Sequence, residues 1–209
     1  MRLVYAYNRT VGGAAVSVTS GDVDLVGDEA VRNVARAALF AALLGASAFV
    51  SFPNPFSPGV PVTLQVLVVF LAGIFLGPVW GAASMVLYLV AGAAGVPIFS
   101  GGSSGIGVLL GPTGGYLWSY PMAAAAVGAL VHGGFDLRNP RDVGVGRLVG
   151  AMVLGTALIY AMGVVGLMLV VRMGPVEAFV AGAAAFVPAE AFKIAAAVGI
   201  VRSDAIRAT

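Results

Sequence analysis

From Ala37 to Phe135 the chain runs for 99 consecutive residues without a single Asp, Glu, Lys or Arg. Charged residues form about a quarter of an ordinary soluble domain, but they make up only 10% of these 209 residues, and the mean hydropathy is +1.01. Such a run cannot cover a surface that faces water, whereas a bilayer requires apolar segments that satisfy their own backbone hydrogen bonds. We therefore predict an all-α integral membrane protein.

Six apolar segments, separated by Pro- and Gly-rich stretches, are the candidate transmembrane helices. They fall at about 32–51, 62–77, 79–96, 114–132, 147–172 and 188–203. The second and third are short and are joined tightly by LGPVWG at 76–81, and segment 174–187 is predicted to be an interfacial cover. We expect two units, which are a polar cytoplasmic N-terminal tail, 1–28, and a six-helix membrane domain, 29–209.

The distribution of positive charge predicts how the spans are oriented, because Lys and Arg are retained on the cytoplasmic side. With the N-terminus inside, nine of the eleven cationic residues fall at cytoplasmic ends, and only Arg172 falls outside. The remaining cation, Lys193, lies within the last apolar segment. Both termini are then cytoplasmic, and the loops at 51–61 and 96–115 face outward.

Two glycine clusters, GGSSGIG at 101–107 and GPTGGY at 111–116, raise the question of a bound phosphate. A Walker-type loop needs a lysine directly after its glycines, and the only lysine of this chain is Lys193. The glycine spacing also differs from the dinucleotide fingerprint, which follows a strand. We expect no nucleotide at these loops.

Composition excludes several other classes of site and partner. The chain has no cysteine and one histidine, His132, so we expect neither a metal site nor a cofactor. The net charge is only +2 and there is no basic run, so we expect no nucleic-acid partner.

The segment FVPAEAFK at 186–193 carries the strongest candidate site. Pro188 suits the first turn of a helix, and Glu190 and Lys193, three residues apart, then share a face and can pair. Ionisable residues inside a span are unfavourable unless they are paired or solvated, and they commonly mark functional sites. We interpret the pair as the polar floor of an outward-facing ligand cavity. The alternative is an ion pair that only pins a helix.

Further polar candidates lie at the outer ends of the spans. Thr63 and Gln65 in VPVTLQ either form hydrogen bonds between helices or contact a ligand, and both interpretations stay open. Thr113 and Tyr116 in GPTGGY offer hydroxyl groups, and the glycines around them let the backbone approach a ligand closely.

Small residues recur at four-residue spacing in the first span, ARAALFAALLGA at 35–46. Ala37, Ala41 and Gly45 form one stripe, and a second stripe begins at Ala38. Such stripes permit membrane helices to approach closely. The first span therefore offers either a docking face for a partner membrane protein or ordinary packing within the bundle.

One enzymatic alternative comes from Gly102-Ser103-Ser104-Gly105, which matches the G-x-S-G motif of rhomboid-type intramembrane proteases, with His132 as the base. The predicted topology places the serine in an outer loop and His132 at the inner end of the fourth span. A 19-residue helix is about 28 Å long, whereas a nucleophile and its base must approach to about 3 Å. We expect no enzyme activity.

Taken together, the chain resembles the BioY family, the biotin-binding substrate components of energy-coupling factor (ECF) transporters. The pieces VPVTLQ, LYLVAGAAGVPIF and GPTGGY carry the resemblance, which extends to FVPAEAFK. It implies a multi-pass protein of the cell membrane that captures biotin, or alternatively another vitamin, from outside. It also implies a transmembrane coupling protein, contacted by an Ala-rich first helix, and two cytoplasmic ATPases.

The resemblance also implies which residues contact the ligand. Carried over by motif, they are Gln65, Ser103, Gly105, Thr113, Gly115, Tyr116, Glu190 and Lys193. The family's P-G-D-x-x-K matches 188–193, with Glu190 in place of Asp, so the carboxylate reaches one methylene further. Some members carry Arg where Leu117 stands, and Asn is frequent where this chain has Ser103. Lys193 or backbone amides are then left to hold the carboxylate of biotin.

Overall fold

The computed structural model describes residues 27–54 and 60–203, and this part of the chain is mainly helical. Its α-helices are α1 (Asp28–Ser47), α2 (Gln65–Ala93), α3 (Ile106–Leu109), α4 (Gly114–His132), α5 (Val145–Val170), α6 (Pro175–Gly182) and α7 (Val187–Arg202). Two short strands, β1 (Ser51–Phe52) and β2 (Val62–Thr63), pair in an antiparallel hairpin. Single 3₁₀ turns occur at Ser100–Gly102, Pro140–Asp142 and Ala184–Phe186. The predicted tail, 1–28, lies almost wholly outside the described residues.

α2 folds back on itself at Gly77. This residue adopts φ 75° and ψ −175°, a conformation that favours glycine, and the proline that follows suits the first turn of a new helix. A straight helix would hold Gln65 and Tyr88 about 35 Å apart, yet Nε2 of Gln65 donates to the Tyr88 hydroxyl at 2.7 Å. The limbs 65–76 and 78–93 are therefore antiparallel, which agrees with two short segments joined at LGPVWG.

Close contact between α2 and α4 forms the centre of the bundle. A Cβ atom at Gly73 would lie 2.5 Å from the carbonyl oxygen of Ala124, and one at Gly128 would lie 2.6 Å from the backbone at Gly77. Only glycine fits at both positions, so the backbones approach as they do in small-residue interfaces of membrane helices. α5 packs against the other side of α4, and α1 packs against α2.

The inward face of α1 carries the stripe Ala37, Ala41 and Gly45, which is buried. A Cβ atom at Gly45 would lie 3.1 Å from the side chain of Ile98. A partner protein cannot reach residues that the chain's own bundle encloses, so the assignment of a docking face to these three residues is corrected. They form an internal packing face, and the exposed face of α1 carries the second stripe, which begins at Ala38.

Three helical stretches of the described residues are long and apolar enough to cross a bilayer, which are Gln65–Ala93, Val145–Val170 and Pro175–Arg202. The first of these is the folded α2, and the third combines α6, the 3₁₀ turn and α7. α1 and α4, with 20 and 19 residues, complete the bundle. The architecture is that of a helical membrane protein.

Arginine side chains gather at one end of the bundle, which we call the arginine end. His132, the last residue of α4, accepts a hydrogen bond from the Arg138 amide at Nδ1, so its Nε2 donates to the Ile74 carbonyl at 3.0 Å. Arg202, at the end of α7, donates to the Val143 carbonyl at 2.5 Å. The described arginines at this end, or on the half of α1 that points toward it, are Arg32, Arg36, Arg138, Arg141, Arg147 and Arg202.

The opposite end of the bundle, which we call the cavity end, carries the β1–β2 hairpin, the loop from 94 to 113 and the starts of α4 and α7. The amide of Gly105 donates to the Gly92 carbonyl at 2.7 Å, which fastens this loop to the end of α2. Arg172, just after α5, lies at this end and is exposed.

Candidate ligand-binding site

A cavity of about 450 Å³ lies at the cavity end, between the hairpin, the loop from 94 to 113, and helices α4, α5 and α7. This volume is typical of small-molecule sites. Its floor consists of buried side chains, which are Gln65, Tyr120, Ile159, Phe186 and Lys193. Its rim consists of exposed or half-buried residues, which are Ser100, Gly101, Ser103, Gly107, Pro112 and Thr113.

An ion pair lies at the floor. The Nζ of Lys193 is 2.6 Å from Oε1 of Glu190, and both side chains are 4% exposed. The hydroxyl of Tyr160 donates to the same oxygen at 2.7 Å. The predicted pairing of residues three apart on α7 is confirmed, and α5 supplies a third member.

The start of α7 sets the position of this pair. Pro188 occupies the first turn, where its missing N–H leaves no helix hydrogen bond unmade. Glu190 follows in the same turn, where the helix dipole favours a carboxylate. Its second oxygen, Oε2, is buried and has no hydrogen-bond partner among the described residues. A buried acceptor without a donor is unfavourable, so this oxygen is the unsatisfied group of the pair.

Thr63 and Gln65 take part in a chain of hydrogen bonds beside the cavity. The Thr63 hydroxyl donates to Oε1 of Gln65 at 3.2 Å, and Nε2 of Gln65 donates to the Tyr88 hydroxyl. That hydroxyl donates in turn to the Ile98 carbonyl at 3.2 Å. The two limbs of α2 and the following loop are therefore joined by these bonds, and both predicted residues also line the cavity.

Tyr116 forms part of the cavity wall through its ring, while its hydroxyl donates to the Gly182 carbonyl at 2.7 Å. The ring lies against Gly163 of α5, where a Cβ atom would overlap it. The hydrogen bond to Gly182 ties α4 to the segment that leads into α7. On the rim, the Ser103 hydroxyl donates to the Ser100 carbonyl at 2.8 Å.

Of the eight predicted contact residues, five line the cavity, and they are Gln65, Ser103, Thr113, Tyr116 and Lys193. Glu190 lies behind Lys193 and Tyr160 rather than in the wall. Gly105 and Gly115 are not among the lining residues. A Cβ atom at Gly115 would overlap the Met162 carbonyl, so that glycine serves the contact between α4 and α5.

The sequence analysis missed several lining residues, among them Tyr160 and Phe186. Tyr160 could have been predicted, because it is the one polar side chain in the apolar stretch ALIYAM of α5 and a hydroxyl within a span needs a partner. Phe186 carries no comparable signal.

The arrangement excludes the serine–histidine pairing. Ser104 is exposed in the loop at the cavity end, whereas His132 is buried at the arginine end with both ring nitrogens in hydrogen bonds. α4, which is about 28 Å long, separates the two ends.

The sequence and the fold of this chain are similar to those of known proteins. The biotin transporter BioY of Rhodobacter capsulatus is 37% identical over 171 residues, which cover 78% of this chain and 87% of that protein. The biotin transporter BioY of Thermotoga maritima is 35% identical over 134 residues, covering 64% and 73%. The solved S-component for biotin from an ECF-type ABC transporter has the same fold, with a TM-score of 0.76 at 24% identity over 85% of this chain and 92% of that one. The BioY family model matches residues 16–208, and the chain belongs to the BioY family.

Proposed function

We propose that this chain is the high-affinity biotin-binding component of an ECF-type transporter for biotin uptake. The observation that carries the proposal is the buried Glu190–Lys193 pair at the floor of a 450 Å³ cavity in a member of the BioY family. The chain itself binds and moves its ligand, and ATP hydrolysis belongs to separate ATPases.

The chemistry of the cavity suits biotin. Its ureido ring offers two N–H donors and a carbonyl acceptor, its side chain is apolar, and it ends in a carboxylate. The ammonium of Lys193 uses one donor on Glu190 and has others for the ureido carbonyl. Val66, Ile159 and Phe186 supply apolar wall.

We propose six membrane-spanning segments, with the two limbs of α2 counted separately, in a multi-pass protein of the cell membrane. The gathering of arginines opposite the cavity supports cytoplasmic termini and an outward-facing cavity, because cationic residues are retained inside.

The transmembrane coupling protein of the ECF module is proposed to dock on the exposed face of α1. Ala38, Ala42 and Ala46 are exposed there at four-residue spacing, which lets a partner helix approach closely. Two cytoplasmic ATPases complete the module.

The proposal is tested by equilibrium binding of biotin to the purified protein in detergent. We expect Glu190→Gln and Lys193→Met to weaken binding by more than about tenfold each, since each removes a charge-assisted hydrogen bond. The double variant removes both charges, so no unpaired charge is left at the floor and we expect it to fold. A thermal unfolding transition like that of the wild type then shows that its loss of binding is not caused by loss of fold. Glu177→Gln, at an exposed position of α6, is the matched control and keeps wild-type affinity. Binding of another vitamin but not of biotin by the wild type would overturn the proposal.

A further inference from the structure

The cavity contains little charge for a site that takes an anion, because Lys193 alone is charged among its described lining residues. The chain has no Asp, Glu, Lys or Arg from 37 to 135, a range that includes both strands, both glycine clusters and α4. Arg172 lies at the same end but is exposed and is not among the lining residues. The described residues of the walls and rim therefore offer no second cation.

Lys193 is itself poorly placed to hold a carboxylate. Its ammonium is 2.6 Å from Oε1 of Glu190, so the pair has no net charge. A ligand carboxylate bound to Lys193 would also lie close to the carboxylate of Glu190 behind that ammonium, and like charges that share a site repel each other. The floor thus favours a neutral group that accepts a hydrogen bond from Lys193.

The rim offers neutral hydrogen-bonding groups instead. Ser100, Ser103 and Thr113 place hydroxyl groups there and are half-buried, and Gly101 and Pro112 beside them are exposed. We propose that the carboxyl end of the ligand lies at this rim among neutral groups and solvent, and that the site also accepts biotin whose carboxyl group is joined in an amide. This inference rests on the proposed function and extends its substrate class to carboxyl-conjugated biotin.

The first test compares the affinities of biotin, biotin carboxamide, and the amide of biotin with the ε-amino group of lysine. We expect both amides to bind within about tenfold of biotin, because no charge-assisted hydrogen bond is lost. If biotin binds tightly but both amides bind more than about tenfold more weakly, the inference is overturned and the proposed function stays intact. Absence of biotin binding would instead overturn both.

The second test introduces a cation at the rim. Thr113→Lys should raise the affinity ratio of biotin to biotin carboxamide by about tenfold, since only the free carboxylate gains a charged partner. Ser104→Lys, on the same loop but outside the lining, is the matched control and leaves the ratio unchanged. Retained binding of the carboxamide shows that the variant folds, and Ser103→Lys is the second rim variant. An unchanged ratio in both rim variants would overturn the placement of the carboxyl end.

Discussion

Among the described residues, Glu190 has two donors on one carboxylate oxygen and none on the other. The Tyr160 hydroxyl comes from α5 and the Lys193 ammonium from the next turn of α7, so two helices fix the same group. Breaking a buried ion pair is far more destabilising than its net contribution suggests, because the remaining charge is left without compensation. The Tyr160 hydroxyl supplies a second donor to Oε1 and reduces that cost.

We therefore expect Tyr160→Phe to lower the free energy of unfolding of the ligand-free protein by about 1–3 kcal/mol, because Oε1 loses a buried donor. Thermal unfolding in detergent measures the change. Tyr120→Phe is the matched control, since Tyr120 is also a buried lining residue but makes no side-chain hydrogen bond among the described residues. Equal stability of the two variants would contradict a supporting role for the Tyr160 hydroxyl.

At the residue scale, the sequence predicts contacts between residues that are neighbours on one helix. The pairing of Glu190 with Lys193 follows from three-residue spacing on one helix. The bond from Tyr160 joins residues 30 apart, so it depends on how α5 and α7 pack. The same limit explains Gly115, whose role is set by the neighbouring backbone of α5 rather than by its own motif.

At the scale of single elements, α1 shows why one face cannot be chosen from sequence alone. Its two small-residue stripes begin at Ala37 and Ala38, which lie about 100° apart around the helix. In a soluble protein the polar stripe would mark the outside, but lipid is as apolar as a protein core, so this contrast is missing. The reversal of α2 was predictable because Gly-Pro is a local signal.

The exposed stripe gives a prediction for the coupling protein. Ala42→Leu should reduce co-purification of the coupling protein, because the added side chain prevents close helix approach, and it should leave biotin affinity unchanged. Ala161→Leu makes the same change at an exposed position of α5 and serves as the control. Wild-type recovery of the coupling protein with Ala42→Leu would show that this face is not the docking face.

At the scale of the whole molecule, all but one of the described arginines lie at the end opposite the cavity. The cavity end is built almost wholly from the uncharged residues 37–135, while the arginine end fixes loops and helix ends through hydrogen bonds to carbonyl groups. Arg147, for example, donates to the Leu130 carbonyl at 2.5 Å. The positions of arginine along the sequence predicted this asymmetry. Only the fold shows that the arginine-bearing loops and helix ends lie together at one end of the bundle.

This asymmetry predicts how the protein lies in the membrane, and the absence of cysteine from the chain makes the test clean. Ser104→Cys places a thiol at an exposed position of the cavity end, and Asp136→Cys places one at an exposed position of the arginine end. In intact cells a membrane-impermeant maleimide should label the first variant, and it should label the second only after permeabilisation, because cationic ends stay in the cytoplasm. The cysteine-free parent controls for background labelling. The reverse pattern would place the cavity on the cytoplasmic side, where it could not capture a vitamin from outside, and the uptake function would then have to be abandoned.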